Sequence, residues 1–314
     1  MATWSDTDDI PDLDGKTAVV TGANSGLGYV TARELARHGA TVVLACRDAE
    51  RAEAAEERII NSLPDSKAKL GVLPLDLADL ASVRDFADVF GERYDGLDIL
   101  VNNAGVMALP PRRTADDFEM QMGTNHLGHF ALTALLAPRL LARPGARVVT
   151  VSSGMHAIGR PDPADLRGQH GKYHKWRAYG ASKSANLMFA AELARRAEES
   201  GTDLVSVAAH PGYAATNLQA AGPRMRHDSR AERMMAVTNR VFATSAEAGA
   251  LPQLYAATAP DVANGAFYGP RFAMWGRPGR APRAPWVRNV ARNRTLWTAS
   301  EEATGIRWAA PLDG

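Results

Sequence analysis

The run TAVVT at residues 17–21 leads straight into GANSGLG, which sets Gly22, Gly26 and Gly28 between a β-branched strand pattern and a helical pattern reaching about residue 38. Glycine permits a tight turn and lets backbone approach a pyrophosphate closely. The start of the following helix offers free amides and the positive end of its dipole. The spacing is G-x3-G-x-G, not the more common G-x-G-x-x-G. Glycines also serve plain strand-to-helix packing. It is the position at a strand–helix junction that favours a bound dinucleotide.

The same alternation continues along the chain. Strand patterns occupy residues 41–45, 69–75, the LDILVNN stretch ending at Asn102, ARVVTVSS, 204–209 and about 266–268. Helical patterns lie between them at about 48–61, 81–93, 118–141 and 177–199. Strands separated by helices predict right-handed βαβ units. The fold class is therefore α/β, a single-domain, Rossmann-type doubly wound parallel sheet with helices on both faces. Ligands of such sheets bind beyond the carboxyl ends of the strands. We divide the chain into an acidic tail over residues 1–14, the dinucleotide-binding and catalytic domain over 15–270, and an irregular Pro/Arg-rich extension over 271–314.

Charge excludes several partners. With 36 basic and 35 acidic residues among 314, the net charge is +1, so nothing argues for a nucleic acid or an acidic membrane surface. Cys46 is the only cysteine, which rules out an internal disulfide. No segment has about 18 uninterrupted apolar residues, and the N-terminal stretch is acidic. The expectation is a cytoplasmic protein with no membrane insertion, acting on a small molecule.

Tyr179 and Lys183 stand four apart at the start of a helix and so share one face. A phenol with its pKa near about 10 is a poor proton shuttle at neutral pH unless a cation stabilises its phenolate, and an ammonium alongside would do so. Tyr173 has Arg177 four residues on and is rejected for that role. Ser152 and Ser153 close the fifth strand, and only one of them can face the site. His126 and His129 have no third ligand at useful spacing, so no metal is expected. His156 and His210 read as structural, although His156 is near enough in sequence to approach a substrate.

The motifs TGANSGLG, NNAG, YGASK and HPG, in that order over roughly residues 15–270, resemble the short-chain dehydrogenase/reductase family. LACRD, NHLGHF and the stretch from Gly159 to Phe189 are similar to its retinol-dehydrogenase-like subgroup, and the cofactor loop also resembles protochlorophyllide reductase. The resemblance implies hydride transfer between a nicotinamide cofactor and a carbonyl or alcohol. It assigns Tyr179 as proton donor or acceptor, Lys183 as the group that lowers its pKa, Ser153 as hydrogen-bond partner of the reacting oxygen, and Asn125 as support for Lys183 through a water relay. Tyr179 and Lys183 also meet the nicotinamide ribose. The remaining cofactor candidates are Gly22, Asn24, Ser25, Gly26, Leu27, Gly28, Arg47, Asp76, Leu77, Asn103, Ala104, Gly105, Pro211, Gly212 and Thr216.

At the end of the second strand stand Cys46 and Arg47, where NAD-binding sheets carry an acid. Arg47 can pair with a 2′-phosphate, so NADP(H) is expected over NAD(H), with Asp48 capping the next helix. Asp76 suits the adenine or serves as a helix cap. Met107, Leu109, Met155, His156 and Tyr213 are candidates for the substrate mouth, and the loop onward to about residue 230 reads as part of a lid. Membrane-bound relatives carry an apolar N-terminal anchor, whereas this N-terminus is acidic. The substrate is therefore expected to be a lipophilic carbonyl, with retinoids one class among several. The competing reading is an NADP(H)-binding sensor on the same fold, which would normally lack the tyrosine or lysine. An epimerase would need a larger C-terminal domain. The family often pairs its two long helices across subunits, which allows a homo-oligomer.

Overall fold

The computed structural model describes residues 4–63, 69–212 and 245–313. Eight strands form one sheet in the order β3-β2-β1-β4-β5-β6-β7-β8. They are β1 Thr17–Thr21, β2 Thr41–Cys46, β3 Lys69–Pro74, β4 Ile99–Asn102, β5 Arg147–Val151, β6 Val205–Ala209, β7 Phe267–Pro270 and β8 Pro278–Arg280. All neighbours run parallel except β7 and β8. The chain order reverses at β1, which pairs with β2 on one side and β4 on the other, Val19 facing both Val43 and Leu100. This switch point brings the glycine turn after β1 beside the NNAG turn after β4.

Every residue of β1 and β4 is buried, because helices cover both faces. Alternate residues serve opposite layers. Val19, Val43, Leu100 and Val148 enter the core under helices α3 (Leu80–Arg93), α4 (Gly128–Leu141) and α5 (Lys175–Glu199). Val20, Val42, Leu44 and Val101 enter the other, under α1 (Gly26–Arg37), α2 (Ala49–Ser62) and α6 (Ala246–Thr258). Local capping fixes the helix starts: the Asp48 carboxylate accepts from Arg51 N at the head of α2, and that of Asp79 accepts from Ala81 N at the head of α3.

Two features depart from the sequence reading. The helix expected over 118–141 opens at Met120–Met122, widens into a π-helical turn over Gly123–Leu127 and then continues as α4. Gly128 makes that approach possible, since a Cβ there would stand 2.4 Å from the Leu77 carbonyl oxygen. The extension after residue 270, expected to be irregular, holds β8, a short 3-10 turn at Pro285–Arg288 and a helix α7 at Val290–Thr304. Its prolines, Pro278, Pro282, Pro285 and Pro311, all lie outside the helix, where they cannot break it. Asn289 caps α7 and Gly305, at φ +64°, ends it. Buried Trp297 anchors it against Phe130, Phe189 and Trp308, with the Arg196 guanidinium 4.3 Å from the Trp297 ring centroid. No helix among the described residues is long and apolar enough to cross a membrane.

Candidate active site

The glycine turn has the shape its sequence required. Gly22 (φ +66°) and Gly26 (φ +56°) adopt left-handed conformations. A Cβ on Gly28 would stand 2.4 Å from the Gly22 carbonyl oxygen and 2.6 Å from Asn103 Nδ2. Ser25 is the N-cap of α1 yet makes no capping hydrogen bond through its side chain. Asn24 and Leu27 flank it and are half-buried. The first amides of α1 and the Ser25 hydroxyl therefore remain for an anion, and the donor set fits a dinucleotide pyrophosphate.

At the end of β2, burial pushes the Cys46 thiol up to about 11, against the opposing effect of the Asn24 and Ala23 amides, so this strand end carries no negative charge from Cys46 at neutral pH. Arg47 is exposed and forms no ion pair with the described residues, while Asp48 is turned away to cap α2. Asp76 accepts from Ala78 N at 3.0 Å in a local turn and is not the cap of α3, which is Asp79. Leu77 is buried against the Gly128 turn.

A buried chain of hydrogen bonds that sequence reasoning missed ties the two signature turns together. His129 Nδ1 lies 3.0 Å from the Asn125 carbonyl, so it carries the proton, and Nε2 accepts from Thr21 Oγ1 at 2.9 Å. The Thr21 hydroxyl in turn accepts from Asn103 N and Ala104 N, both at 2.9 Å, while Asn103 Nδ2 donates to Thr21 O. From α6, Gln253 donates to Thr31 Oγ1 and to Asn103 Oδ1. A glutamine in the middle of the Ala-rich stretch AEAGALPQLYAAT was the sequence signal for Gln253. Burial drives His129 down to about 4, so it stays neutral. His126 is likewise tied to the fold, with Nε2 facing Ser300 Oγ at 2.9 Å. Among the described residues, no group of three His, Cys, Asp or Glu could hold a metal ion.

Tyr179, Ser153, Lys183 and Asn125 converge beyond β4 and β5. Tyr179 is buried, and its phenol is pushed up to about 12 by burial, with a hydrogen bond to the Ser153 side chain pulling the other way. Ser152 is excluded from the chemistry because its hydroxyl donates to Lys183 O at 2.7 Å. The Lys183 ammonium donates to Val151 O at 3.0 Å and lies 6.0 Å from the centre of the Tyr179 ring. Burial drives Lys183 down to about 8. In this arrangement desolvation outweighs any stabilisation of the phenolate by the ammonium.

Asn125, within the π-helical turn, accepts from Val106 N at 2.7 Å and donates to Val106 O and Ser182 Oγ, both at 2.9 Å. The side chain thus shapes the loop after NNAG. Gly105 separates Asn125 from Lys183: a Cβ there would stand 3.1 Å from Asn125 Oδ1 and 3.4 Å from Lys183 Nζ. Ser182, unnoticed in the sequence, donates to Tyr179 O at 2.8 Å and so joins Asn125 to the helix that carries Tyr179 and Lys183.

Tyr173 donates to Leu109 O at 2.9 Å and accepts from Gln121 Nε2 at 2.8 Å, which occupies its hydroxyl away from the site. Met107 and Met155 are half-buried, but Leu109 is 1% exposed and belongs to the core, not to an open mouth. His156, expected to approach the substrate, has both ring nitrogens engaged by the protein. After β6, Pro211 is half-buried and Gly212 (φ +69°) packs its Cα against the Met274 carbonyl. Tyr213, Thr216 and the expected lid lie outside the described residues.

A glycine-lined turn at a switch point, beside buried Tyr179 and Lys183 and half-buried Ser153, defines a nicotinamide-dependent oxidoreductase. The short chain dehydrogenase family profile matches residues 16–226. Human retinol dehydrogenase 12 is 41% identical over 299 residues, covering 94% of this chain and 88% of that protein. Human retinol dehydrogenase 13 is 39% identical, covering 94% and 86%. A crystal structure of an uncharacterized protein from Mycobacterium paratuberculosis superposes with a TM-score of 0.80 at 42% identity, covering 98% of this chain and all of that one. A short chain dehydrogenase from Burkholderia cenocepacia in complex with NADP gives 0.63 at 26% identity, over 82% and 97%. The chain belongs to the short-chain dehydrogenase/reductase family, in its retinol-dehydrogenase-like subgroup, and is an oxidoreductase acting on alcohol and carbonyl groups.

Proposed function

We propose that this protein is an NADP(H)-dependent dehydrogenase/reductase of lipophilic alcohols and carbonyls, with Tyr179 as its proton donor and acceptor. The observation that carries this reading is buried Tyr179, four residues before a Lys183 whose ammonium would stand 3.4 Å from a Cβ on Gly105, next to the turn where Ala104 packs on Gly22. When bound, the nicotinamide supplies the hydride to a carbonyl carbon or takes it from an alcohol. Tyr179 then delivers the phenolic proton to the developing alkoxide, and its rise to about 12 keeps that proton in place through the neutral range. Ser153 donates to the same oxygen, while Lys183 binds the nicotinamide ribose and supplies positive charge.

Exposed Arg47 and the neutral thiol of Cys46 support a 2′-phosphate, because neither repels it and the guanidinium can pair with it bidentately. Relatives named retinol dehydrogenases, with half-buried Met155 in the turn that packs on Gly180 beside Tyr179, support a lipophilic substrate. The test is oxidation of NADPH and NADH, in parallel, against a panel of lipophilic aldehydes and ketones. NADPH is expected to be preferred, and Arg47→Asp to reverse that preference. Equal turnover of both cofactors that Arg47→Asp leaves unchanged would overturn the assignment.

A further inference from the structure

We propose that His156 is a positioning residue for Ser153, and that the C-terminal segment around Ala284 holds it in place. This rests on the reading of Ser153 and Tyr179 given above. His156 is 5% exposed and lies in the 3-10 turn Gly154–Ile158 that follows Ser153. Its Nδ1 stands 2.7 Å from the Ser153 carbonyl oxygen, which also accepts from the His156 amide at 3.1 Å. On the opposite side, Nε2 stands 3.1 Å from Ala284 N. A carbonyl only accepts and a backbone amide only donates, so the proton is on Nδ1 and Nε2 is the acceptor. The ring is thus fixed in one neutral tautomer from both ends, with the Phe267 ring packed edge-on at 5.6 Å.

This clamp bears on the reacting oxygen. The peptide of Ser153 is held by two donors at its carbonyl, and its hydroxyl, which accepts from Met155 N at 3.1 Å, is the polar group that opposes the upward shift of the Tyr179 phenol. Turning the Ser153–Gly154 peptide would swing the serine away from the phenol. The turn sits tightly on the catalytic helix, since a Cβ on Gly180 would meet Met155 O at 2.7 Å. Ala284 is itself anchored: two residues on, Trp286 Nε1 donates to Ser184 Oγ at 2.7 Å, beside Lys183 in sequence, and Val287 is fully buried. The C-terminal segment therefore reaches the serine through His156 and the catalytic helix through Ser184. Small misplacements of such groups cost on the order of a hundredfold in rate.

Three variants separate positioning from packing. His156→Leu removes both ring bonds, His156→Asn keeps a donor where Nδ1 stood, and Ala284→Pro replaces the amide hydrogen that faces Nε2 with a ring carbon, which breaks that bond and presses on the imidazole. The last suits the backbone, with φ −57° at Ala284. Each is assayed with NADPH and the aldehyde of the panel that wild type reduces fastest, alongside NADPH binding by fluorescence and thermal unfolding. The expected result is a kcat loss of roughly ten- to a hundredfold in His156→Leu, with the NADPH dissociation constant held within about twofold. His156→Asn should recover most of that loss, and Ala284→Pro should lower kcat by several-fold. An unchanged kcat in His156→Leu, or no recovery in His156→Asn at equal stability, would overturn the proposal. Should His156→Leu not fold, an unchanged kcat in both other variants does the same. Tyr179→Phe run alongside keeps the two readings distinct: full turnover there refutes the catalytic assignment, whereas its loss with intact His156 variants refutes only the clamp.

Discussion

Lys183 directs its ammonium at the Val151 carbonyl, 3.0 Å away, rather than at the phenol of Tyr179, whose ring centre is 6.0 Å distant. Both groups are buried, and burial moves them in opposite directions, the lysine down to about 8 and the tyrosine up to about 12. The tyrosine therefore keeps its proton at neutral pH, and the lysine loses its charge as pH rises past about 8. Reduction should show a kcat/KM that is level near neutrality and falls above about pH 8. Lys183→Arg, cationic at any working pH, should shift that limb upward while lowering turnover. A wild-type limb near the ordinary lysine value of 10.5 would contradict the burial argument.

Gly28 packs under Asn103 and against its own turn, with no room for a methyl group. Gly28→Ala should cost roughly 1–3 kcal/mol of stability through overpacking and weaken cofactor binding more than tenfold. Urea unfolding and fluorescence titration with NADPH measure the two effects. Wild-type affinity in that variant would show that the cradle is not where the pyrophosphate sits.

Three buried histidines make the fold sensitive to acid. Burial holds His126 at about 3 and His129 and His210 at about 4, all below the ordinary value of 6.5. As pH falls below 6.5 the unfolded chain takes up protons that the native state refuses, so stability is present above that pH and lost progressively toward 4. A tenfold difference in proton affinity between the two states is worth about 1.4 kcal/mol per group. The urea midpoint should drop steeply over that window, and His129→Gln should make the drop shallower. An acid profile unaffected by His129→Gln would remove this histidine from the account.

Much of this arrangement was legible in the residues themselves. The strands at Thr17–Thr21 and Thr41–Cys46 read clearly because burial on both faces demands continuous β-branched runs. Tyr179 and Lys183 share one helix face, as their four-residue spacing and the motifs around them led one to expect. The π-helical turn at Gly123–Leu127 was not legible, since helical periodicity does not say which turn widens, and the close contact of Gly128 with the Leu77 carbonyl joins residues 51 apart. The Thr21–His129 link spans 108 residues, beyond any local pattern. Helix α7 was hidden by prolines and arginines that precede or flank it, while Trp297 supplies the burial that forms it. The role expected of Lys183 toward the phenol depends on burial, which sequence does not give.

Single-turnover reduction by Tyr179→Phe tests whether Tyr179 transfers the proton in a nicotinamide-dependent reaction. With NADPH bound and a saturating aldehyde, the variant should bind cofactor as wild type does while losing at least about a hundredfold in the rate of NADPH oxidation. Cofactor binding and oxidation both at wild-type rates would place the proton donor elsewhere and contradict the account.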